Sequence, residues 1–205
     1  MSQRRIPIAI VLLLLFFFGF AAVPLAAGEK SPEKCVQELL NAIQQIKTGE
    51  PLSPQDIENN RKYSDRALDL LNLDEVSQKT LGKYWEKLSP NDREKFSSLL
   101  RQLFVHVAFP NSGQFFSDLQ LVYEDTRFDR SQAVVPVRVI HPDEGEVAID
   151  FYLRKRRNQW EVVDVLLDSV SMRNNLRNQF YKVIGQKDYG ELVRRMEKRL
   201  QETKS

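Results

Sequence analysis

The chain has 205 residues, with 30 Lys and Arg against 28 Asp and Glu, 42% hydrophobic residues, 2 His and a single Cys. So even a balance gives no global footing for a phosphate-backbone binder or for strong adhesion to anionic bilayers, both of which rest on clustered excess Lys and Arg. One cysteine also excludes an internal disulfide, even in an oxidising compartment, so stability must come from the core.

Arg4 and Arg5 form a basic n-region, Ile8–Val23 is an uncharged apolar run, and Leu25-Ala26-Ala27-Gly28 supplies small residues for cleavage. That is the pattern of an export signal. The expected organisation is a signal peptide over 1–27 and one domain over 28–205. A retained anchor stays open, since Ile6–Ala27 is about the 20 residues a membrane helix needs. Cys35 lies beyond the processing site without the Leu-x-x that would mark lipidation. Loss of 1–27 removes two arginines and no acid, which leaves 28 basic and 28 acidic side chains. A domain of this size buries about 70% of its unfolded surface, enough for a core and a ligand cavity.

Ser31-Pro32 reads as an N-cap followed by Pro at N1, and Val36, Leu39, Leu40, Ile43 and Ile46 follow at helical spacing, up to a stop at Thr48-Gly49-Glu50-Pro51. Ser53-Pro54 starts a second helix with Ile57, Ala67, Leu68 and Leu71. Asp74 is expected to cap a third that carries Val76, Leu81, Tyr84, Trp85 and Leu88, with Gly82 permitting close packing. Ser89-Pro90-Asn91-Asp92 starts a fourth, whose apolar stripe runs through Phe96, Leu99, Leu100, Leu103, Phe104 and Val107.

After Pro110-Asn111-Ser112-Gly113 the period falls to two. Four strands are expected: Leu119–Phe128, Ala133–His141, Glu146–Lys155 and Gln159–Leu167. Short turns join them, so neighbours should pair antiparallel. Ala133, Val135, Val137 and Val139 share a face, as do Val147, Ile149, Phe151 and Leu153, with Asp150 and Arg154 opposite. Pro136 cannot donate to a ladder and argues for an edge or a bulge. Arg154-Lys155-Arg156-Arg157 reads as a solvated hairpin tip or as a docking contact for an acidic partner or lipid headgroups. Helices Ser171–Ile184 and Asp188–Gln201, the latter with Leu192, Met196 and Leu200, close the chain. The expected fold is α+β, helices packed on one face of a curved four-stranded antiparallel sheet.

Catalytic chemistry has little footing. His106 and His141 belong to no ligand pattern, Cys35 to no nucleophile signature, and no G-x-S-x-G, Walker or G-x-G-x-x-G motif occurs. Asp150 and Asp164 could serve as acid and base of a cone-shaped α+β enzyme, but neither has a partner His or Tyr at a recognisable spacing. The expectation is a protein that is not an enzyme and carries no metal or cofactor.

Leu81-Gly82-Lys83-Tyr84-Trp85, Leu88-Ser89-Pro90 through Arg93 to Phe96, Val135-Pro136-Val137-Arg138-Val139, Asp150-Phe151, and Trp160 with Val163-Asp164-Val165 leading to Val170-Ser171-Met172 stand in an informative order. Together they make the chain similar to the MlaC, or toluene-tolerance, family of periplasmic phospholipid-binding proteins, across most of Leu68–Leu200. Ser169 departs from the Gly often found before Val-Ser in that family, and the stretch before Leu68 matches poorly. The resemblance implies a periplasmic carrier. It would shuttle glycerophospholipid between an outer-membrane lipoprotein complex and an inner-membrane ABC transporter with an MCE-domain subunit, maintaining outer-membrane lipid asymmetry. An apolar lipid pocket is expected between sheet and helices. Val135, Val137, Val139, Ile149, Phe151, Val163 and Val165 would line it from the sheet, and Tyr84, Leu103, Phe104 and Val107 from the helices, with Arg138 near the headgroup phosphate. A hopanoid or other polycyclic-lipid carrier, and a periplasmic chaperone or interaction module, are the alternatives.

Overall fold

Three Ser-Pro pairs start three helices. Each serine hydroxyl accepts the backbone N–H three residues on, from Lys34, Asp56 and Asp92, and each proline fills the first helical position, where no N–H is needed. The result is α1 (Pro32–Gln44), α2 (Pro54–Asp69) and α4 (Pro90–Leu103). A computed structural model of the chain describes residues 30–49, 51–116, 119–141 and 145–203, with only the backbone of His141. The expected signal at 1–27, Glu50 of the first helix stop and Pro142-Asp143-Glu144 of the second hairpin lie outside the described residues.

Helix α3 (Leu73–Leu81) is capped by Asn72, whose side chain accepts the Glu75 N–H; Asp74, the expected cap, is the second residue of the helix. The expected third helix stops early. Gly82 takes φ +46°, and a 3-10 turn, Gly82–Lys87, carries Tyr84 and Trp85 to the start of α4. The fourth helix runs on past the expected stop: residues Phe104–Ala108 widen into a π turn, and α5 (Phe109–Phe116) continues through Pro110 to Phe116. Pro110 has no N–H for the carbonyl four residues back and its ring crowds that carbonyl, so a local widening lets the helix pass the proline. After the sheet come α6 (Met172–Gln186) and α7 (Tyr189–Glu202).

The sheet has six strands, not the expected four: β1 (Gln120–Tyr123), β2 (Arg127–Asp129), β3 (Gln132–His141), β4 (Gly145–Arg156), β5 (Gln159–Leu167) and β6 (Val170–Ser171). Their order is β1-β3-β4-β5-β6, all antiparallel, with β2 beside β1 on the same edge of β3. β1 and β2 are the expected first strand, broken in two. The Glu124 N–H donates to the Pro136 carbonyl at 3.0 Å, but Pro136 has no N–H to return, and the ladder resumes only at Arg127 opposite Val134. Three residues on one side thus span two on the other, a bulge set by the proline. The far edge of β5 is covered: Val162 exchanges bonds with Leu70 and Asn72 at 2.9 Å each, and β6 pairs beyond.

Two apolar clusters result. One joins α1, α2 and α5 to the inward face of the sheet; the other joins α3, α4, α6 and α7. Phe104 of the π turn packs against both. No described helix is long and apolar enough to cross a membrane.

Candidate functional site

Strand register builds the inward face in rows. Leu121, Val139 and Val147 form one; Tyr123, Val137, Ile149 and Leu167 the next; then Val135, Phe151 and Val165; then Ala133, Leu153 and Val162. Every member but Tyr123 is a hydrocarbon side chain, and burial, with the charge of Glu33, raises the Tyr123 phenol above its ordinary pKa. Helix α1 lies over β3 and β5, and α5 lies on α1. With these helices seated, Val135, Val137, Val139, Ile149 and Phe151 are at most 3% exposed. Toward the β3–β4 turn the same face opens: Leu121, Val147, Val165 and Leu167 are only partly buried.

Five of the expected lining residues, Val135, Val137, Val139, Ile149 and Phe151, thus share one cluster, and Val165 and Phe104 pack against it. The others lie elsewhere or apart. Leu103 packs in the second cluster, with Phe96, Leu99 and Phe180 among its members. Tyr84 meets Tyr181 edge-on, ring centroids 4.9 Å apart, with the Lys83 ammonium 5.2 Å from one ring and 5.3 Å from the other. Val107 is partly buried on the π turn. Val163 is displaced by a register shift between Tyr152 and Leu153, which leaves Val162 opposite Leu153 and Asp164 opposite Tyr152. One inserted residue reverses the alternation, so Val162 and Trp160 join the cluster in its place. Sequence reasoning missed these two, along with Leu121, Leu167, Phe109 and Phe116; Val147 shared the face of Ile149 and was legible.

The polar candidates are committed elsewhere. Arg138 lies on the outward face, between Val122 and Ala148, and donates to Glu124 at 2.6 Å and Glu146 at 3.1 Å. Hydrogen bonds to Glu146 and Glu124 raise its pKa. Asp164 is a fixture of the α6 start: it accepts from the Ser171 hydroxyl at 2.7 Å and the Arg173 N–H at 3.0 Å. Asp150 pairs with Arg127 at 3.3 Å. The Cys35 thiol donates to the Trp160 carbonyl at 3.1 Å; burial, reinforced by the Glu38 charge, pushes its pKa up to about 12. No group of three or more His, Cys, Asp or Glu among the described residues could hold a metal. What the arrangement offers is an apolar wall, and its carboxylates serve the scaffold.

No curated protein matches the chain. Among solved structures it is similar to a phospholipid-binding protein from Ralstonia solanacearum, solved in complex with a phospholipid, with a TM-score of 0.66 at 19% identity over 83% of this chain and 95% of that one. At that identity the likeness shows the fold. The family model described as MlaC protein matches residues 33–198, all seven helices and the entire sheet in part or whole, and the chain belongs to the MlaC family.

Proposed function

We propose that this protein is a periplasmic phospholipid-binding carrier, not an enzyme, that takes glycerophospholipid between an outer-membrane lipoprotein complex and the MCE-domain subunit of an inner-membrane ABC transporter. The observation that carries the reading is the four-row apolar face, hydrocarbon but for Tyr123, covered by α1 and α5 and less buried toward the β3–β4 turn. Membership of the MlaC family and the phospholipid held by the Ralstonia protein of like fold support it. At roughly 0.8 kcal/mol per buried CH₂, two acyl chains of ordinary length face a barrier on the order of 20 kcal/mol to entering water. A wall that covers the tails lowers that barrier without chemistry, and needs few polar groups.

The test is native mass spectrometry of the exported protein, purified without detergent, with organic extraction of what it holds. One diacyl phospholipid per chain is the expected result. A polycyclic lipid would keep the carrier and change its cargo; an apo chain that stays apo after incubation with liposomes would refute the reading. Val147→Trp, at the partly buried end of the wall, should reduce the bound lipid while leaving the fold intact.

A further inference from the structure

Helix α6 carries Arg173, Arg177 and Lys182 and no acidic residue. Arg173 faces Glu75 and Asp164, but Arg177 and the exposed Lys182 have no ion pair among the described residues. The 3-10 turn Gly82–Lys87 shows the same imbalance. Lys83 and Lys87 are exposed and unpaired among the described residues, and the one acid of the turn, Glu86, faces Arg93 at 3.4 Å. On the sheet, by contrast, Arg127 faces Asp150, Arg138 faces Glu124 and Glu146, and Arg156 faces Glu161.

The turn and α6 meet at Gly82. The Arg177 Cδ lies 3.8 Å from where a Cβ of Gly82 would stand, and the Lys83 N–H donates to the Tyr181 hydroxyl at 2.9 Å. The Lys83 ammonium sits 5.2 Å from the Tyr84 ring centre and 5.3 Å from that of Tyr181, and the two rings meet edge-on. Those distances are within cation–π range, so the rings hold the ammonium in place. Two cations thus border one joint without a counter-ion, in a chain whose charges nearly balance. Like charges left together repel, and an incoming anion relieves that repulsion.

We propose that this joint, through Lys83 and Arg177, is a docking surface for an acidic segment of a protein partner. The charge is complementary, and because the rings already fix the ammonium, little side-chain freedom is lost on binding. Tyrosine and arginine side by side are also the residue types that dominate protein interfaces. A bilayer finds no foothold here: Tyr84 and Tyr181 are partly buried, and the large exposed apolar side chains, Ile57, Phe115, Phe128 and Val170, lie on α2, α5, β2 and β6. The joint belongs to the second cluster and not to the apolar wall of the sheet. A partner held there leaves that wall untouched, and the proposal does not rest on the identity of the cargo.

Titration of the protein with oligoglutamate, read by amide NMR, tests it. Shifts are expected in the Gly82–Lys87 turn and in α6, and should fade as salt is raised. Lys83→Gln/Arg177→Gln should weaken binding about tenfold, as loss of two exposed charge contacts does. Arg194→Gln/Arg195→Gln removes the same charge from α7 and should leave binding unchanged. The bond from Lys83 to Tyr181 is made by the backbone, so circular dichroism of the first variant should match the parent, with co-purified lipid unchanged. Lys83→Gln alone keeps Arg177 beside Gly82 and should weaken binding about threefold. Absence of binding, equal weakening by both double variants, shifts spread over the other basic elements, or binding of phosphatidylglycerol vesicles through the same two residues would each overturn the proposal.

Discussion

Gly82→Ala tests whether the joint between α3 and α6 rests on a backbone that only glycine adopts. Gly82 lies at φ +46°, ψ −118°, and a Cβ there would fall inside van der Waals contact of the Tyr181 hydroxyl. That hydroxyl accepts the Lys83 N–H at 2.9 Å, and its ring packs edge-on against Tyr84. The strained backbone alone costs about 1–3 kcal/mol. Displacing Tyr181 adds about 1 kcal/mol for the hydrogen bond and about 0.5–1.5 kcal/mol for the ring pair. The sum is about 3–5 kcal/mol, a fall in Tm of roughly 10–15 °C for a domain of this size. Tyr181→Phe removes the obstructing oxygen at a cost of about 1 kcal/mol. In that background Gly82→Ala should therefore cost only the backbone part, and the double-mutant cycle should show at least about 1 kcal/mol of coupling. Urea unfolding followed by fluorescence reads it, with Trp85 inside the 3-10 turn and Trp160 in the sheet. A Gly82→Ala protein within about 0.5 kcal/mol of the parent, or strict additivity with Tyr181→Phe, would refute the reasoning.

Gly113→Ala places a methyl 2.6 Å from the Ile43 carbonyl oxygen, a backbone atom that cannot swing aside, so α5 must lift from α1. Despite the better helix propensity of alanine, thermal unfolding should show a loss of about 1–3 kcal/mol. Asp164→Asn should destabilise by about 1–3 kcal/mol through the lost bonds to Ser171 and Arg173; urea titration checks this, and parent-like stability would free Asp164 for another role. Burial and the Asp92 charge push Tyr189 up to about 12, above its unfolded value near 10. Its contribution is full below pH 10 and is lost as pH rises from about 10 to 12, so Tyr189→Phe should flatten the alkaline limb of a stability–pH curve. In the same samples Cys35, also at about 12, should resist thiol reagents until the chain unfolds.

The helix starts were written locally and could be read: Ser31-Pro32, Ser53-Pro54 and Ser89-Pro90 each cap and open a helix where the sequence says. The alternation of β3 and β4 put Val135, Val137, Val139, Ile149 and Phe151 on one buried face for the same reason, since a strand with one buried face repeats every second residue. The errors came where a partner at long range decides. Pro136 does not break its own strand; it breaks the one beside it, splitting Leu119–Phe128 into β1 and β2. The extra residue in β5 is visible only in its pairing with β4, and it exchanges Val163 for Val162. Pro110 reads locally as a helix stop, yet packing of Phe109 and Phe116 into the sheet cluster carries the helix through it by way of a π turn. Arg138 looked like a phosphate ligand until the register placed it between Glu124 and Glu146.

The seal on β5 bears on when the chain can fold. Leu70 and Asn72 complete their hydrogen bonds only with Val162, and the Cys35 thiol waits for a carbonyl 125 residues later in the chain. Contacts this distant in sequence are slow to form, because loop closure must precede them. A chain synthesised from its N-terminus therefore delivers α1 and α2 long before the surface they cover, with Val36, Leu39, Leu40 and Ile43 unshielded. Until β5 arrives those helices keep an apolar face exposed, so the packing of the first cluster is timed by that strand.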